Sequence, residues 1–145
     1  MGSTGDTDGS PLGRPLGRPL GSTLGSPRQR IGAAAEDRAA LHLEAAGLQL
    51  LARNYLCRMG ELDLVARDGD VLVVAEVRLR DSMRFGGAAA SITWRKRARI
   101  VRATRHLLAR DPSLQQLRVR FDALLIDGAQ GEVQWIKGAF DAGGR

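Results

Sequence analysis

Two apolar, strand-like runs, Gly60-Glu61-Leu62-Asp63-Leu64-Val65 and Val73-Val74-Ala75-Glu76-Val77-Arg78, each carry acidic residues. An ionised carboxylate among valines and leucines is costly unless a cation or a metal balances it. Two carboxylates and a cation brought together from neighbouring strands suit phosphodiester hydrolysis. A hard divalent ion, Mg2+ (or Mn2+), takes oxygen ligands and keeps several waters, so Asp63 and Glu76 could hold it and leave room for a phosphate oxygen and a water. Such an ion lowers the pKa of its water, and Arg78 could stabilise charge developing on the phosphoryl oxygens. The competing reading is a structural ion-pair network of Asp63 and Glu76 with Arg78 and Lys96. The tripeptide Glu76-Val77-Arg78 is weak by itself. In a chain with 16 acids and 22 Lys+Arg, an acid followed two positions later by a base arises about twice by chance. The hairpin context carries the argument.

Positioning these acids falls to the segment between the runs, Arg67-Asp68-Gly69-Asp70. Asp-Gly between alternating apolar residues signals a tight two-residue turn. With Asp68 and Gly69 as the turn, Arg67 is expected to face Asp70, Val65 to face Leu72, Asp63 to face Val74 and Glu61 to face Glu76. Asp63 and Glu76 are then diagonal neighbours about 7–8 Å apart along the backbone, and Arg78 points the same way as Glu76. The opposite face, Leu62, Leu64, Val71, Val73, Ala75 and Val77, reads as core. Glu61 either supports the site from behind or pairs with Arg78.

Around the hairpin, a helix is expected from about Gln29 to Ala46, stopped by Gly47, then a strand from Leu48 to Tyr55. A second helix runs from about Ser91 to Ala109. Strands follow near Arg118–Ile126 and Val133–Ile136, with a short helix or turn through Phe140. This order implies an α/β protein with a central mixed sheet and flanking helices. It also sets Glu36 on a helix beside the hairpin. Asp122 sits in a strand and is expected to pair with Arg120.

The second helix concentrates charge. Arg95, Lys96, Arg97, Arg99, Arg102 and Arg105 fall in a stretch without an acid. Helical spacing puts Arg95, Arg99, Arg102 and His106 on one stripe, and Trp94, Ala98, Val101, Thr104 and Leu108 on a core-facing one. With a net charge of +6 and a pI near 10.9, Arg95, Lys96, Arg99 and Arg102 are candidates to track a nucleic-acid backbone. A solvated face that keeps the protein soluble is the simpler alternative.

Residues 1–30 hold four of the five prolines, and Pro11-Leu12-Gly13-Arg14 recurs as Pro15-Leu16-Gly17-Arg18. This segment is expected to be a disordered tail, followed by one domain over 31–140 and a flexible C-terminus at 141–145. It has no apolar core of the kind a secretory signal requires, and no run reaches membrane-span length. Cys57 is the single cysteine and there are two histidines, which excludes an internal disulfide and a zinc-type ligand set. A cytoplasmic location is expected.

Ile31-Gly32-Ala33-Ala34-Ala35-Glu36-Asp37-Arg38-Ala39-Ala40, Ala52-Arg53-Asn54-Tyr55, Gly60-Glu61-Leu62-Asp63-Leu64-Val65, Glu76-Val77-Arg78, Arg120-Phe121-Asp122 and Trp135-Ile136-Lys137-Gly138-Ala139-Phe140 appear in this order. Together they resemble the YraN family of small bacterial proteins of unknown function, from about Gly32 to Phe140. The resemblance implies a restriction-endonuclease-like domain similar to Holliday junction resolvases, with Glu36 as a first-helix glutamate beside the metal-binding acids Asp63 and Glu76. It also makes a homodimer acting on DNA an expectation. The chain departs from the family pattern by carrying Arg78 where Glu-Val-Lys is usual. Arginine keeps its charge but cannot act as a base, so phosphate stabilisation survives the exchange and proton transfer does not. Lys96 is a candidate to replace the missing lysine. Two functions follow: a metal-dependent DNA endonuclease using Asp63, Glu76 and Arg78, or a non-catalytic nucleic-acid-binding module of the same fold.

Overall fold

The computed structural model describes residues 27–80, 92–127 and 132–143. Helix α1 spans Pro27–Ala45, followed by strands β1 (Gln49–Cys57), β2 (Gly60–Asp68) and β3 (Val71–Arg80). Helix α2 (Trp94–Arg110) and a 3-10 turn (Pro112–Leu114) lead to β4 (Arg118–Asp127) and β5 (Val133–Phe140). The expected tail lies outside the described residues except at its end, where helix begins at Pro27. The expected flexible C-terminus is described to residue 143, where the Gly143 N–H donates to Asp141 Oδ1 across a turn.

Alanine-rich sequence favours α1, and its end follows from Gly47. That glycine has φ +96. Its N–H donates to Glu44 O and the Leu48 N–H donates to Leu43 O, so the last carbonyls are satisfied in a Schellman motif. Leu43 and Leu48 are both buried in the same cluster, which fixes the angle at which the chain enters β1.

The five strands form one sheet in sequence order. β1–β2, β2–β3 and β4–β5 are antiparallel, while β3–β4 is parallel and is bridged by α2. The sheet is therefore mixed, as expected. Its two faces feed separate cores. Leu72, Val74, Phe121, Ala123 and Leu125 pack with Ile100, Val101, Ala103 and Leu107 of α2. Val73, Ala75, Leu124 and Ile126 pack with Ala35, Ala39, Ala40 and Leu43 of α1. With both faces covered, β3 is buried continuously from Leu72 to Glu76, as a central strand between helix layers must be. Among the described residues no helix is long and apolar enough to cross a membrane.

Four details differ from the sequence reading. Asp68 pairs with Val71, so Gly69 and Asp70 form the turn rather than Asp68 and Gly69. Gly69 (φ +60) takes the first central position, where glycine meets the positive φ of a type II′ turn without strain. The hairpin register therefore moves by two residues. Second, β5 continues as strand to Phe140, with Phe121 opposite Phe140, where a helix or turn was expected. Third, Leu62 joins the α2-side core while Leu64 joins the α1 side. The β1–β2 ribbon turns over between them, and Ala52 and Tyr55 show the same break on β1. Asn54, at φ +51, is the pivot. Fourth, the buried face of α2 is Ile100, Val101, Ala103, Thr104 and Leu107. Trp94 is exposed instead of lying in the core stripe. His106 leaves the cationic stripe, because its Nδ1 shares a 2.6 Å hydrogen bond with the hydroxyl of fully buried Tyr55.

Candidate functional site

The turnover of the β1–β2 ribbon builds the site. Across it, Arg53 pairs with Leu64 and Tyr55 with Leu62, which sets Asn54 against Asp63. On the other side the β2–β3 ladder runs to Leu64↔Ala75, and the next step of that register puts Asp63 opposite Glu76. The corrected turn thus makes the two acids direct neighbours rather than diagonal ones. Asp63 Oδ2 accepts the Val77 N–H at 2.9 Å. A carboxylate here stands in for the main-chain acceptor that a straight β2 would supply, because each N–H on a buried strand needs a partner.

Glu76 is 5% exposed. Arg78 Nη1 and Lys96 Nζ both lie 3.7 Å from its Oε2, while its Oε1 is buried without a hydrogen-bond partner. Both cations favour the ionised form, yet the pKa is pushed up to about 8. Burial is the largest cause and repulsion from Asp63 the next. Desolvation therefore outweighs two ion pairs that are too long to be hydrogen bonds.

Glu36 approaches from α1. Asn54 Nδ2 donates to its Oε1 and Oε2 at 3.0 and 3.1 Å, and Arg53 Nη2 lies 3.9 Å from Oε1 while bonding Asp37 at 2.7 Å. Burial pushes the Glu36 pKa up to about 7, with Asp63 and Glu61 adding to the rise and Asn54 and Arg53 opposing it. Asp63 thus perturbs both glutamates. Asn54 was given no role in the sequence analysis. Its signal was an asparagine inside a strand, the residue type after glycine that most readily takes a left-handed backbone.

Among the described residues no group of three or more His, Cys, Asp or Glu side chains is placed to hold a metal ion. Asn54 bonds both Glu36 oxygens, and Asp63 still raises the Glu36 pKa. Two facing carboxylates still suit Mg2+, which is commonly held by one or two carboxylates with substrate phosphate and water completing the shell. The unpartnered Glu76 oxygen and the raised Glu76 pKa are what a cation would relieve, so Asp63 and Glu76 fit the ion.

Helix α2 delivers Lys96 and the basic surface. Thr93 caps it, its Oγ1 accepting the Lys96 N–H at 3.1 Å, and Arg97 Nε donates to the Ile92 carbonyl at 2.8 Å. Lys96 sits in the first turn, half-buried over Glu76. Arg95, Arg99 and Arg102 are exposed beyond it. At Gly60, φ +151, a side chain would meet the Arg99 Cβ at 3.5 Å, so the helix lies close against the start of β2.

Asp122 is a different kind of buried acid. It is fully buried and accepts from Arg120 Nε and Nη2, Trp135 Nε1 and the Gly138 N–H, all at 2.9–3.0 Å. Arg120 is expected to pair with it and does. Every oxygen is committed, so Asp122 joins β4 to the irregular end of β5 and takes no part in the site.

Paired acids at the bend of a five-stranded mixed sheet, between two helices, define a small α/β protein with one candidate site. Residues 35–126 match the uncharacterised protein family UPF0102. The chain belongs to that family, introduced above as YraN. It is 44% identical over 115 residues to a UPF0102 protein of Legionella pneumophila, covering 79% of this chain and 98% of the relative. Similarity to a UPF0102 protein of Nitrosomonas europaea is 50% over 111 residues, with 76% and 92% covered. For one of Paracidovorax citrulli it is 56% over 116 residues, with 77% and 83% covered.

Proposed function

We propose that this protein binds DNA along α2 and hydrolyses phosphodiester bonds at Asp63 and Glu76 with Mg2+ (or Mn2+) as cofactor. The observation that carries the reading is Glu76: a buried glutamate beside Asp63, with one oxygen unpartnered and a pKa pushed up to about 8 despite two nearby cations. Buried groups with strongly perturbed pKa values cluster at functional sites, which favours a functional reason. When bound, the ion supplies an acidified water and neutralises charge on the phosphate. Asp63 and Glu76 hold it. Glu36, with a pKa near 7, is able to accept or return a proton close to neutral pH, and Asn54 fixes its orientation. Arg78 and Lys96 stand in long contact with Glu76, where a phosphate oxygen can share them. Arg78 acts through charge alone, and Lys96 supplies from the helix the ammonium that the family pattern has on the strand. Arg95, Arg99 and Arg102 steer the backbone. The restriction-endonuclease-like resemblance, and with it a homodimer in the cytoplasm, belongs to the same reading.

The second reading is a DNA-binding module without turnover. It is favoured by Arg78, and by the fact that both cations at the site already neutralise Glu76. One experiment separates the two. Supercoiled, linear, single-stranded and four-way-junction DNA are incubated with the protein, with Mg2+ or Mn2+ and with chelator, beside Glu76→Ala and Arg78→Lys. Metal-dependent cleavage that is lost in Glu76→Ala establishes the nuclease, and a gain in Arg78→Lys identifies arginine as the limit. Salt-sensitive binding with no cleavage by either wild type or Arg78→Lys establishes the module.

A further inference from the structure

Trp94 is the most exposed large hydrophobic side chain among the described residues, at 70%. An indole left in water at a helix start does nothing for the core beneath it, and tryptophan is the residue most often found anchoring a partner. Its position is specific. It is the first residue of α2, two residues before the lysine that reaches Glu76, so the indole projects from a different side of the helix than the ammonium. The Arg95 guanidinium carbon lies 5.9 Å from its ring centroid, a cation beside an aromatic face. Exposed Arg99 and Arg102 continue along the helix.

A planar ring next to a cation, at the foot of a basic helix, has the chemistry that recognises an unpaired nucleobase. In single-strand binding, aromatic side chains stack successive bases while basic residues follow the phosphates. Bases inside a duplex are stacked on one another and offer no face. We propose that Trp94, flanked by Arg95, is a stacking platform for one unpaired base, so the nucleic acid held along α2 is single-stranded or splayed. This rests on the nucleic-acid reading above and narrows it to a substrate class.

The test measures binding, not cleavage. Wild type, Trp94→Ala and Trp94→Phe are titrated in chelator with a fluorescently labelled oligothymidylate and with a blunt duplex of equal length, by anisotropy. Trp94→Ala is expected to weaken single-strand binding by about tenfold, within the range of one lost base–aromatic stack, with duplex binding unchanged. Trp94→Phe keeps most of the affinity. Intrinsic tryptophan emission of the wild type is expected to fall on adding the unlabelled single strand, and that drop to shrink in Trp94→Ala, where Trp135 is the remaining indole. Equal losses on both ligands, or none, overturn the stacking role and leave the indole to a protein partner. If wild type binds neither ligand, the nucleic-acid reading fails as well.

Discussion

Replacing Glu76 with glutamine should stabilise the folded protein, and only at high pH. Glutamine keeps the shape and removes the charge. In the folded protein the Glu76 pKa moves from 4.5 to about 8, chiefly because the group is desolvated. A raised pKa means that the folded state holds the proton more tightly than the unfolded chain does. The glutamate's contribution is therefore fully present below pH 4.5 and is lost as the pH rises through about 8. At about 1.4 kcal/mol for each tenfold change in proton affinity, the whole interval amounts to about 5 kcal/mol. Structural relaxation and water entry reduce this, so about 2–3 kcal/mol is the expected gain for Glu76→Gln at pH 9. At pH 5 the two proteins should be nearly equal. Urea unfolding followed by circular dichroism at pH 5, 7 and 9 in chelator reads the difference directly. Adding Mg2+ should narrow the gap at pH 9 by stabilising the wild type alone. A glutamine variant that is less stable at pH 9, or a difference that does not change with pH, would refute the assignment of Glu76 as a strained carboxylate.

Other perturbations probe the neighbouring parts. Asp122→Ala leaves Arg120, Trp135 Nε1 and the Gly138 N–H without their acceptor, and a loss of about 3–5 kcal/mol in chemical denaturation is expected. Asn54→Gly keeps the left-handed backbone at φ +51 but removes the amide that lowers the Glu36 pKa. NMR titration of the Glu36 carboxyl should show a further rise, and Asn54→Val should lose about 1–2 kcal/mol more stability than Asn54→Gly through backbone strain. Arg99→Ala with Arg102→Ala should reduce the slope of log affinity for DNA against log salt by about 2, with little change at a single salt-independent term. A slope that stays the same would remove α2 from the interface.

Much of this architecture was legible because it depends on neighbours in sequence. The turn at Gly47 ends α1 as the Gly47 and Leu48 N–H groups donate to Glu44 and Leu43, a few residues back. The apolar run of β4 and the strand–turn–strand around Gly69 are equally local. Apart from the turn, displaced by one residue to Gly69 and Asp70, what was misread depends on partners far along the chain. The end of β5 stays a strand because the freed Gly138 N–H finds Asp122, sixteen residues earlier. His106 looks cationic on a helical wheel, but its partner is Tyr55 on β1. The buried face of α2 starts only at Ile100, which leaves Trp94 exposed. Within the site, Asp63, Glu76 and Arg78 could be gathered from hairpin periodicity, and Lys96 as a helix lysine able to replace the one missing from the strand. The grip of Asn54 on Glu36 could not, since it requires the ribbon to turn over.

The bond from the Val77 N–H to Asp63 Oδ2 has an evolutionary consequence. Asp63 completes a ladder, so selection for folding alone is enough to retain it. Glu76 has two long ion pairs and one unpartnered oxygen and burdens the fold above neutral pH, so folding alone gives less reason to retain it. Across UPF0102 relatives, then, invariance at the aspartate is uninformative about activity, whereas on the proposed reading drift at the glutamate to glutamine or an apolar residue is expected in relatives that do not carry out the hydrolysis.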